Sequence, residues 1–158
     1  MKIQKVKRLA EIVKKYKQEG KRTVHCHGCF DLMHPGHIKY LQAAKKFGNI
    51  LLVTVTPDRF VDKGEDRPFF NQDLRAESIA ALECVDYVAI NEWPTAEETL
   101  RLLRPDVYVK GHEFENLQDQ SGKIQKEAIV ISEIGAEMRF THEIVFSSTG
   151  LLKKFFIA

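Results

Sequence analysis

The sequence predicts an α/β fold: a doubly wound, Rossmann-like parallel sheet with helices on both faces. Apolar, β-branched runs alternate with helical segments along most of the chain. The run at residues 50–56 (ILLVTVT) has the composition of a strand that is buried on both faces of a parallel sheet. Sheets of this kind bind ligands at the carboxyl ends of their strands, near the point where the strand order reverses.

The elements are predicted in an order that supports this fold. Residues 3–19 place apolar side chains at three- and four-residue steps and end before Gly20, which predicts a helix. The further predictions are strand 23–27, helix 35–47, strand 50–56, helix 71–83, strand 85–90, helix 95–103, strand 106–109, loop 111–122, helix 123–134, strands 138–140 and 144–145, and helix 151–157, capped by Ser147 or Ser148. We expect residues 1–20 to form an N-terminal amphipathic helix and residues 21–158 to form one domain.

Composition restricts the class of partner. The 158 residues carry 24 Lys and Arg against 22 Asp and Glu, a net charge of +2, whereas proteins that bind nucleic-acid backbone have a larger basic excess. No apolar run is long enough to span a membrane, and no signal-peptide core precedes the first helix. Three cysteines do not make a secreted disulfide framework. We therefore expect a cytoplasmic protein without nucleic-acid or membrane partners.

The junction between the first strand and the next helix is the most informative segment. Residues 28–37 read GCFDLMHPGH, so His34 and His37 flank the helix start and Pro35 suits its first turn. Gly36 has no side chain to keep a ligand from the backbone. A helix N-terminus favours a phosphate through its free N–H groups and dipole, and the two imidazoles can donate hydrogen bonds to phosphate oxygens. Packing histidines or a metal site are the alternatives for the pair.

A zinc or redox site is a second possibility in the same region. Cys26 and Cys29 are separated by two residues, and His25 and His27 stand on either side of Cys26. On a strand, however, the two histidines face one side and Cys26 the other. Cys84 is isolated, and no second Cys/His pair has the spacing of a zinc finger. We therefore expect no protein-held metal.

The segment 28–37 resembles the signature of the cytidylyltransferase-like nucleotidyltransferase superfamily, Gly-x-Phe-Asp-x-x-His-x-Gly-His, with every fixed position present. Similar segments continue along residues 22–155: 63–68 (KGEDRP), 71–77 (NQDLRAE), 85–88 (VDYV), 106–111 (DVYVKG) and 146–149 (FSST). Within the superfamily, the chain is most similar to the adenylyltransferase domain of ADP-heptose synthases, and next to glycerol-3-phosphate cytidylyltransferases. It departs from the heptose enzymes at His112-Glu113, where they usually have Gly-Asp.

The resemblance implies an enzyme in which a substrate phosphate attacks the α-phosphorus of a nucleoside triphosphate and releases pyrophosphate. Its catalytic residues would be His34, His37, Lys63 and Arg75. Its nucleotide-binding residues would be Gly28, Cys29, Phe30, Asp31, Gly36, Lys110, Gly111, Glu113, Ser147, Ser148 and Thr149. Arg67 would bind the phosphorylated substrate. Mg²⁺ would accompany the triphosphate, and Asp31 would orient a histidine or help hold that ion.

Several functional alternatives stay open at this level. The donor is ATP or CTP, and the acceptor is a heptose 1-phosphate-like sugar phosphate, glycerol 3-phosphate, or another polyol or amino-alcohol phosphate. A non-catalytic nucleotide-binding module is the alternative from another class. The resemblance also favours a homodimer, to which the apolar stretch 151–158 contributes either an interface or core packing.

Overall fold

Residues 1–155 are described by a computed structural model, in which a five-stranded parallel sheet is flanked by helices. In chain order the elements are α1 (Val6–Gln18), β1 (Thr23–Gly28), α2 (Pro35–Lys45), β2 (Ile50–Val55), α3 (Gln72–Ala80), β3 (Tyr87–Ile90), α4 (Glu97–Leu103), β4 (Val107–Gly111), α5 (Lys123–Ile134), β5 (Glu137–Thr141) and α6 (Ser148–Phe155). Single 3₁₀ turns at Asp58–Phe60 and His112–Phe114 follow β2 and β4.

The strand order is β3-β2-β1-β4-β5, with every pair parallel. The chain adds β2 and β3 on one side of β1 and then crosses over to add β4 and β5 on the other. The strand order therefore reverses between β1 and β4, whose register pairs Val24 with Val107. The predicted Rossmann-like fold is confirmed, and its switch point lies beyond Gly28 and Gly111.

Alternating residues of the strands fill the core on each face of the sheet. On one face, Val24, Leu51 and Val53 pack with Leu41 of α2 and Ile79 of α3 in a single buried cluster. On the other face, separate buried clusters contain residues of α1 and of α4 with α5. Full burial of a Val, Leu or Ile side chain is worth about 1.5–3 kcal/mol, so the pattern holds both layers of helices on the sheet.

Helix α1 is part of this packed structure. Val6, Leu9 and Val13 are buried with Leu52 of β2 and Leu103 of α4. Just before the helix, the backbone N–H of Gln4 donates to the Val88 carbonyl, and the Val88 N–H donates to the Lys2 carbonyl. The N-terminal segment therefore covers both a face and an edge of the sheet, although it lies outside the sequence resemblance.

The C-terminal region differs from the prediction. Residues 144 and 145 form no strand; they lie in the irregular segment between β5 and α6. Helix α6 begins at Ser148 instead of Leu151, and Ser147 caps it by accepting a hydrogen bond from the Gly150 N–H. Residues 156 and 157 of the predicted helix lie outside the described residues. Within residues 1–155, no helix is long and apolar enough to cross a membrane.

Candidate active site

A cavity of about 180 Å³, here called the first cavity, opens at the switch point of the sheet. Its walls come from the loop after β1, the start of α2, the ends of β4 and β5, and the segment that follows β5. The lining residues are His27, Gly28, Cys29, Phe30, His34, Gly36, His37, Tyr40, Lys63, Lys110, Gly111, Glu113, Phe114, Thr141, Glu143, Ile144, Val145 and Phe146. The fold therefore places the ligand-binding edge of the sheet where the sequence motif begins.

His34 and His37 form a stacked pair at the N-terminus of α2. Their ring centroids are 3.8 Å apart, with 17° between the ring planes. The backbone N–H of His34 donates to Nδ1 of His37 over 3.4 Å, which leaves the proton of a neutral His37 on Nε2. Both ring nitrogens of His34 are buried without a hydrogen-bond partner among residues 1–155. Since buried polar atoms are normally satisfied, His34 calls for a polar ligand in the cavity.

The two rings are kept neutral by their surroundings. Burial, together with the neighbouring His34 ring and the Lys63 charge, lowers the pKa of His37 from 6.5 to about 4. Burial and the Lys63 charge also lower the pKa of His34. A neutral imidazole still donates one N–H. The pair can therefore bind phosphate oxygens at neutral pH as hydrogen-bond donors.

Gly36 makes the close contact between the helix start and its surroundings possible. A Cβ at this position would lie 3.0 Å from Cε1 and Nδ1 of His34 and 3.2 Å from the carbonyl oxygen of Ile144. Any side chain would therefore push against the His34 ring and the wall after β5. The glycine keeps the helix N-terminus open to a ligand.

Two lysines bring positive charge to the first cavity. Lys63 is exposed on the loop that follows the Asp58–Phe60 turn. Lys110, at the end of β4, is largely buried; its ammonium lies 3.5 Å from a Glu127 carboxylate oxygen and 4.8 Å from the centre of the Phe114 ring. One charge thus lies exposed at the mouth and the other is fixed in the wall, an arrangement suited to a polyanion.

Asp31 and Arg67 form a buried ion pair beside the cavity. Arg67 Nε donates to Asp31 over 2.7 Å, and the side chains are 5% and 0% exposed. The backbone N–H groups of Phe69 and Phe70 also donate to the carboxylate. Burial alone would raise the pKa of Asp31, but the Arg67 and backbone hydrogen bonds outweigh it, and the pKa is lowered. The charged pair ties the loop after β1 to the loop after β2.

The N-terminus of α6 joins the same assembly. Ser148 donates to the carbonyl oxygen of Asp31 over 2.8 Å, and Arg67 donates to the Thr149 hydroxyl over 3.3 Å. Phe30 and Leu32, on either side of Asp31, have φ angles of 52° and 50°, which non-glycine residues rarely adopt. Hydrogen bonds from two separate segments, residues 67–70 and the start of α6, therefore hold a strained loop in place next to the histidines.

Arg75 lies outside the first cavity and holds together the loops that form it. Its side chain is buried on α3 and donates to the carbonyl oxygens of Cys29, Phe70 and Thr56. A further bond reaches the Asp58 carboxylate over 2.6 Å. One guanidinium group thus joins the segments after β1 and β2.

The cytidylyltransferase-like family profile matches residues 25–152, which include the whole of this site. The chain belongs to the cytidylyltransferase-like family. That membership makes it an enzyme of the nucleotidyltransferase class and confirms the resemblance predicted from residues 28–37.

The relatives include proteins named bifunctional protein HldE. The one from a Nitratiruptor species is 43% identical over 122 residues, 76% of this chain and 26% of the relative. The one from Sulfurimonas denitrificans is 46% identical over 106 residues, 66% of this chain and 22% of the relative. The chain thus spans about a quarter of the length of these relatives.

Solved structures agree with the fold. A lipopolysaccharide core biosynthesis protein from Thermoplasma volcanium matches with a TM-score of 0.62 at 25% identity, over 81% of this chain and all of that one. Pantoate-beta-alanine ligase from Francisella tularensis matches with a TM-score of 0.63 at 14% identity, over 94% of this chain and 69% of that one. The second likeness concerns the fold alone.

The structure brings most residues expected from the family signature to the first cavity. Those that line it are Gly28, Cys29, Phe30, His34, Gly36, His37, Lys63, Lys110, Gly111 and Glu113. The sequence did not indicate several other lining residues: His27, Tyr40, Phe114, Thr141, Glu143, Ile144, Val145 and Phe146. Ile144 and Val145 follow β5, where this apolar pair had suggested a strand, and Phe146 begins the segment 146–149.

The other expected site residues do not line the first cavity in this structure. Arg67, Arg75 and Asp31 are buried in ion pairs and backbone hydrogen bonds outside the lining of the first cavity. Asp31 therefore contacts neither histidine ring by a hydrogen bond within the described chain; Arg67 and two backbone N–H groups occupy its oxygens. Ser147, Ser148 and Thr149 form the start of α6 and also lie outside that lining. Asp31, Arg67, Arg75, Ser148 and Thr149 take part in hydrogen bonds that join the segments beside the cavity, whereas Ser147 caps α6.

In the cysteine and histidine cluster, His25 and Cys26 are buried packing residues of β1, whereas His27 and Cys29 line the first cavity. His25 and His27 both share the Thr54 hydroxyl at 2.8 Å, on one face of the sheet, and Cys26 lies in the core on the other. Burial lowers the pKa of His25 to about 3. In the described part of the chain, no group of three or more His, Cys, Asp and Glu side chains is placed to hold a metal ion.

Proposed function

We propose that this chain transfers the adenylyl group of ATP to a phosphorylated sugar, of the heptose 1-phosphate type, with release of pyrophosphate. The observation that carries the proposal is the stacked, neutral pair of His34 and His37 in the first cavity. Two neutral imidazoles can donate hydrogen bonds to the oxygens of a phosphate group without carrying a permanent charge. Such a pair therefore suits a reaction at a phosphorus atom.

In this proposal the triphosphate lies across the N-terminus of α2. His37 Nε2–H and the His34 ring contact oxygens of the α-phosphate, and the helix dipole favours the added negative charge. Lys63 at the mouth contacts the outer phosphates. The base and ribose lie toward Gly111 and Glu113, where the cavity is walled by the segment after β5.

The reaction needs alignment more than proton transfer. An oxygen of the acceptor phosphate, already anionic at neutral pH, forms a bond to the α-phosphorus. The bond from that phosphorus to the bridging oxygen of the β-phosphate breaks, and pyrophosphate leaves with the electron pair. The histidines and lysines stabilise the charge that spreads over the equatorial oxygens.

Mg²⁺ belongs to the proposal only as the counter-ion of the triphosphate. The described residues provide no cluster of their own that fits a metal ion. The proposed transfer does not depend on a particular position of the ion. Pyrophosphate release with and without Mg²⁺ shows whether the ion is required.

ATP and a heptose phosphate are favoured over other pairs by the relatives. Several are 43–47% identical to this chain and carry the HldE name. One matching structure is named for lipopolysaccharide core biosynthesis. A cytidylyltransferase acting on glycerol 3-phosphate is the alternative, and the assay distinguishes the two. We also propose that the chain forms a homodimer in the cytoplasm.

The test is a set of paired incubations with Mg²⁺, each combining ATP, CTP, GTP or UTP with one acceptor. The acceptors are a heptose 1-phosphate, mannose 1-phosphate and glycerol 3-phosphate. We expect pyrophosphate and an ADP-sugar from ATP with the heptose 1-phosphate. Preference for CTP with glycerol 3-phosphate would replace this proposal with the alternative. Nucleotide binding without pyrophosphate from any pair would indicate a non-catalytic module.

A further inference from the structure

Strand β5 forms one edge of the sheet, and within the described residues no strand pairs with its outer side. The backbone N–H of Glu137 donates to the carbonyl oxygen of Asp106, just before β4. Because the direction of the backbone groups alternates along a strand, those of Glu137 and Arg139 point toward β4, and those of Met138 and Phe140 point away from the sheet. Outward N–H and C=O groups of this kind can pair with another strand.

The opposite edge of the sheet is covered by the chain itself. The N-terminal segment lies along β3, where the Gln4 N–H donates to the Val88 carbonyl and the Val88 N–H donates to the Lys2 carbonyl. The protein therefore pairs one edge of its sheet with its own backbone and leaves the β5 edge to another partner or to solvent.

The exposed side chains of β5 carry opposite charges two residues apart. Glu137 and Arg139 lie on the same face of the strand, and Arg139 donates to the Glu137 carboxylate over 2.7 Å. Arg22 donates to the other oxygen of that carboxylate, also over 2.7 Å. Hydrogen bonds from Arg22 and Arg139 lower the pKa of Glu137, so it is ionised at neutral pH. The Glu137 and Arg139 side chains are 44% and 54% exposed, so a second chain can reach both.

This pattern is complementary to itself when two copies of β5 run antiparallel about a two-fold axis at Met138. The outward backbone groups of the two Met138 residues then bond to each other, and each Phe140 N–H faces the Ala136 carbonyl of the other copy. Glu137 lies opposite the other copy's Arg139, and Arg139 opposite its Glu137. Opposite charges that face each other across an antiparallel pair stabilise it.

Other antiparallel registers bring like charges together. Pairing centred on Arg139 would place the two Arg139 side chains opposite each other, and pairing centred on Phe140 would place Glu137 opposite Glu143. Charges on an edge strand usually prevent pairing with another chain. On β5 they oppose these neighbouring registers but favour the one that is centred on Met138.

We propose that β5 is the surface through which two copies of this chain associate, as an antiparallel pair centred on Met138 that joins the two sheets into one. The charge complementarity of β5 with itself identifies the occupant of this edge as a second copy. A two-fold interface of this kind is closed, so it gives a dimer and no longer assembly. The inference rests on the homodimer proposed for this chain, but not on adenylyl transfer, since Thr141, which lines the first cavity, lies outside the paired residues 136–140.

The test reverses the two charges one at a time and then together. Glu137→Arg leaves two positive charges on the edge and Arg139→Glu leaves two negative ones, so each variant should raise the dissociation constant of the dimer at least tenfold in sedimentation equilibrium. A mixture of the two single variants should form a heterodimer, and the double variant should again form a homodimer. Arg8→Glu is the matched control, because Arg8 is 63% exposed on α1 and pairs with Glu11. It should leave the dimer unchanged.

Hydrogen exchange provides a second measurement and a check on folding. The Met138 and Phe140 amides should exchange slowly in the dimer and rapidly in either single variant. The Glu137 amide, which is bonded inside the sheet, should exchange slowly in every folded variant. A dimer that survives both single reversals, or a mixture of the single variants that stays monomeric, would overturn the inference.

Pyrophosphate release separates this inference from the proposed transfer. A wild-type protein that is monomeric but releases pyrophosphate would refute the β5 interface and leave the transfer intact. A dimer that responds to the charge reversals as expected but never releases pyrophosphate would refute the transfer alone.

Discussion

His37 takes the backbone N–H of His34 on Nδ1 while its ring stacks on the His34 ring at 3.8 Å. His34 thus fixes both the tautomer and the ring orientation of His37. The relationship requires three-residue spacing at a helix start, since His34 is the N-cap and His37 the third helical position. Pro35 and Gly36, which lie between the two histidines, form the first turn of the helix and leave room for a ligand to approach its N-terminus.

His37→Ala should lower turnover by about 10²–10³-fold, the usual cost of removing one donor to a transition-state oxygen. The free energy of unfolding should change far less, because the ring is only partly buried. Pyrophosphate release and denaturant unfolding measure the two effects. His142→Ala is the control, since that side chain is 66% exposed and does not line the first cavity. Equal turnover in both variants would remove His37 from the mechanism.

The His37 ring should remain neutral well below pH 6.5. Its pKa is lowered to about 4, so between these values the unfolded chain binds the proton more readily than the folded one. The contribution of this ring to stability is therefore complete above pH 6.5 and is lost as the pH falls toward 4. NMR titration of the ¹⁵N-labelled histidines measures the midpoint directly. A midpoint near 6.5 in the folded protein would contradict the partly buried, stacked geometry of the ring.

Replacing two basic residues of one loop should affect two different properties: stability for Arg67 and ATP binding for Lys63. Arg67→Ala leaves the Asp31 carboxylate buried without its partner and should cost about 3–5 kcal/mol of unfolding free energy. Lys63→Ala removes an exposed charge and should leave stability nearly unchanged while weakening ATP binding. Thermal unfolding with and without ATP gives both quantities. If Arg67→Ala melts like the wild type, the ion pair does not hold the loops together.

Arg75→Lys should be destabilising although it keeps the charge. Lysine cannot reproduce the bonds that the guanidinium makes to the Cys29, Thr56 and Phe70 carbonyl oxygens. We expect a loss of more than about 2 kcal/mol, from buried carbonyl groups left without donors. Urea unfolding measures it, and KM for ATP should move little in the folded protein. A stable variant with a raised KM would mean that Arg75 contacts the ligand.

Gly36→Ala should reduce turnover more than stability, because the new Cβ would lie 3.0 Å from the His34 ring and displace the stack. Gly150→Ala in α6 provides the matched control, since its nearest neighbour, the Ser147 Cβ, would be 3.5 Å away. Steady-state pyrophosphate release from the two variants tests the difference. Similar rates would show that the helix start tolerates a side chain.

The sequence predicts the sheet well because β-branched runs such as residues 50–56 are typical of a strand that is buried on both faces. It misplaces residues 144 and 145, because an apolar pair that lines a cavity has the same composition as a short strand. The spacing of basic residues does not reveal that Arg67 and Arg75 are buried in hydrogen bonds to the loops around the first cavity.

Helical periodicity does indicate that two charged residues, Arg75 and Glu127, are buried. Arg75 falls in the same stripe as Ala76 and Ile79, and Glu127 in the same stripe as Ile124 and Ile131. A charged residue in an apolar stripe indicates a buried partner, or a ligand. Both charges have buried partners that only the tertiary structure reveals: Arg75 donates to three carbonyl groups, and Glu127 pairs with the Lys110 ammonium at 3.5 Å.

Adenylyl transfer breaks the bond at the α-phosphorus of ATP, and the position of a ³²P label in the products shows which bond has broken. ATP labelled with ³²P at the α-position in one reaction and the γ-position in another is incubated with Mg²⁺ and a heptose 1-phosphate. We expect α-label in the sugar nucleotide and γ-label in pyrophosphate, with both signals greatly reduced in His37→Ala. Transfer of γ-label to the sugar, or retention of both labels in ATP, would show that this chain does not transfer the adenylyl group.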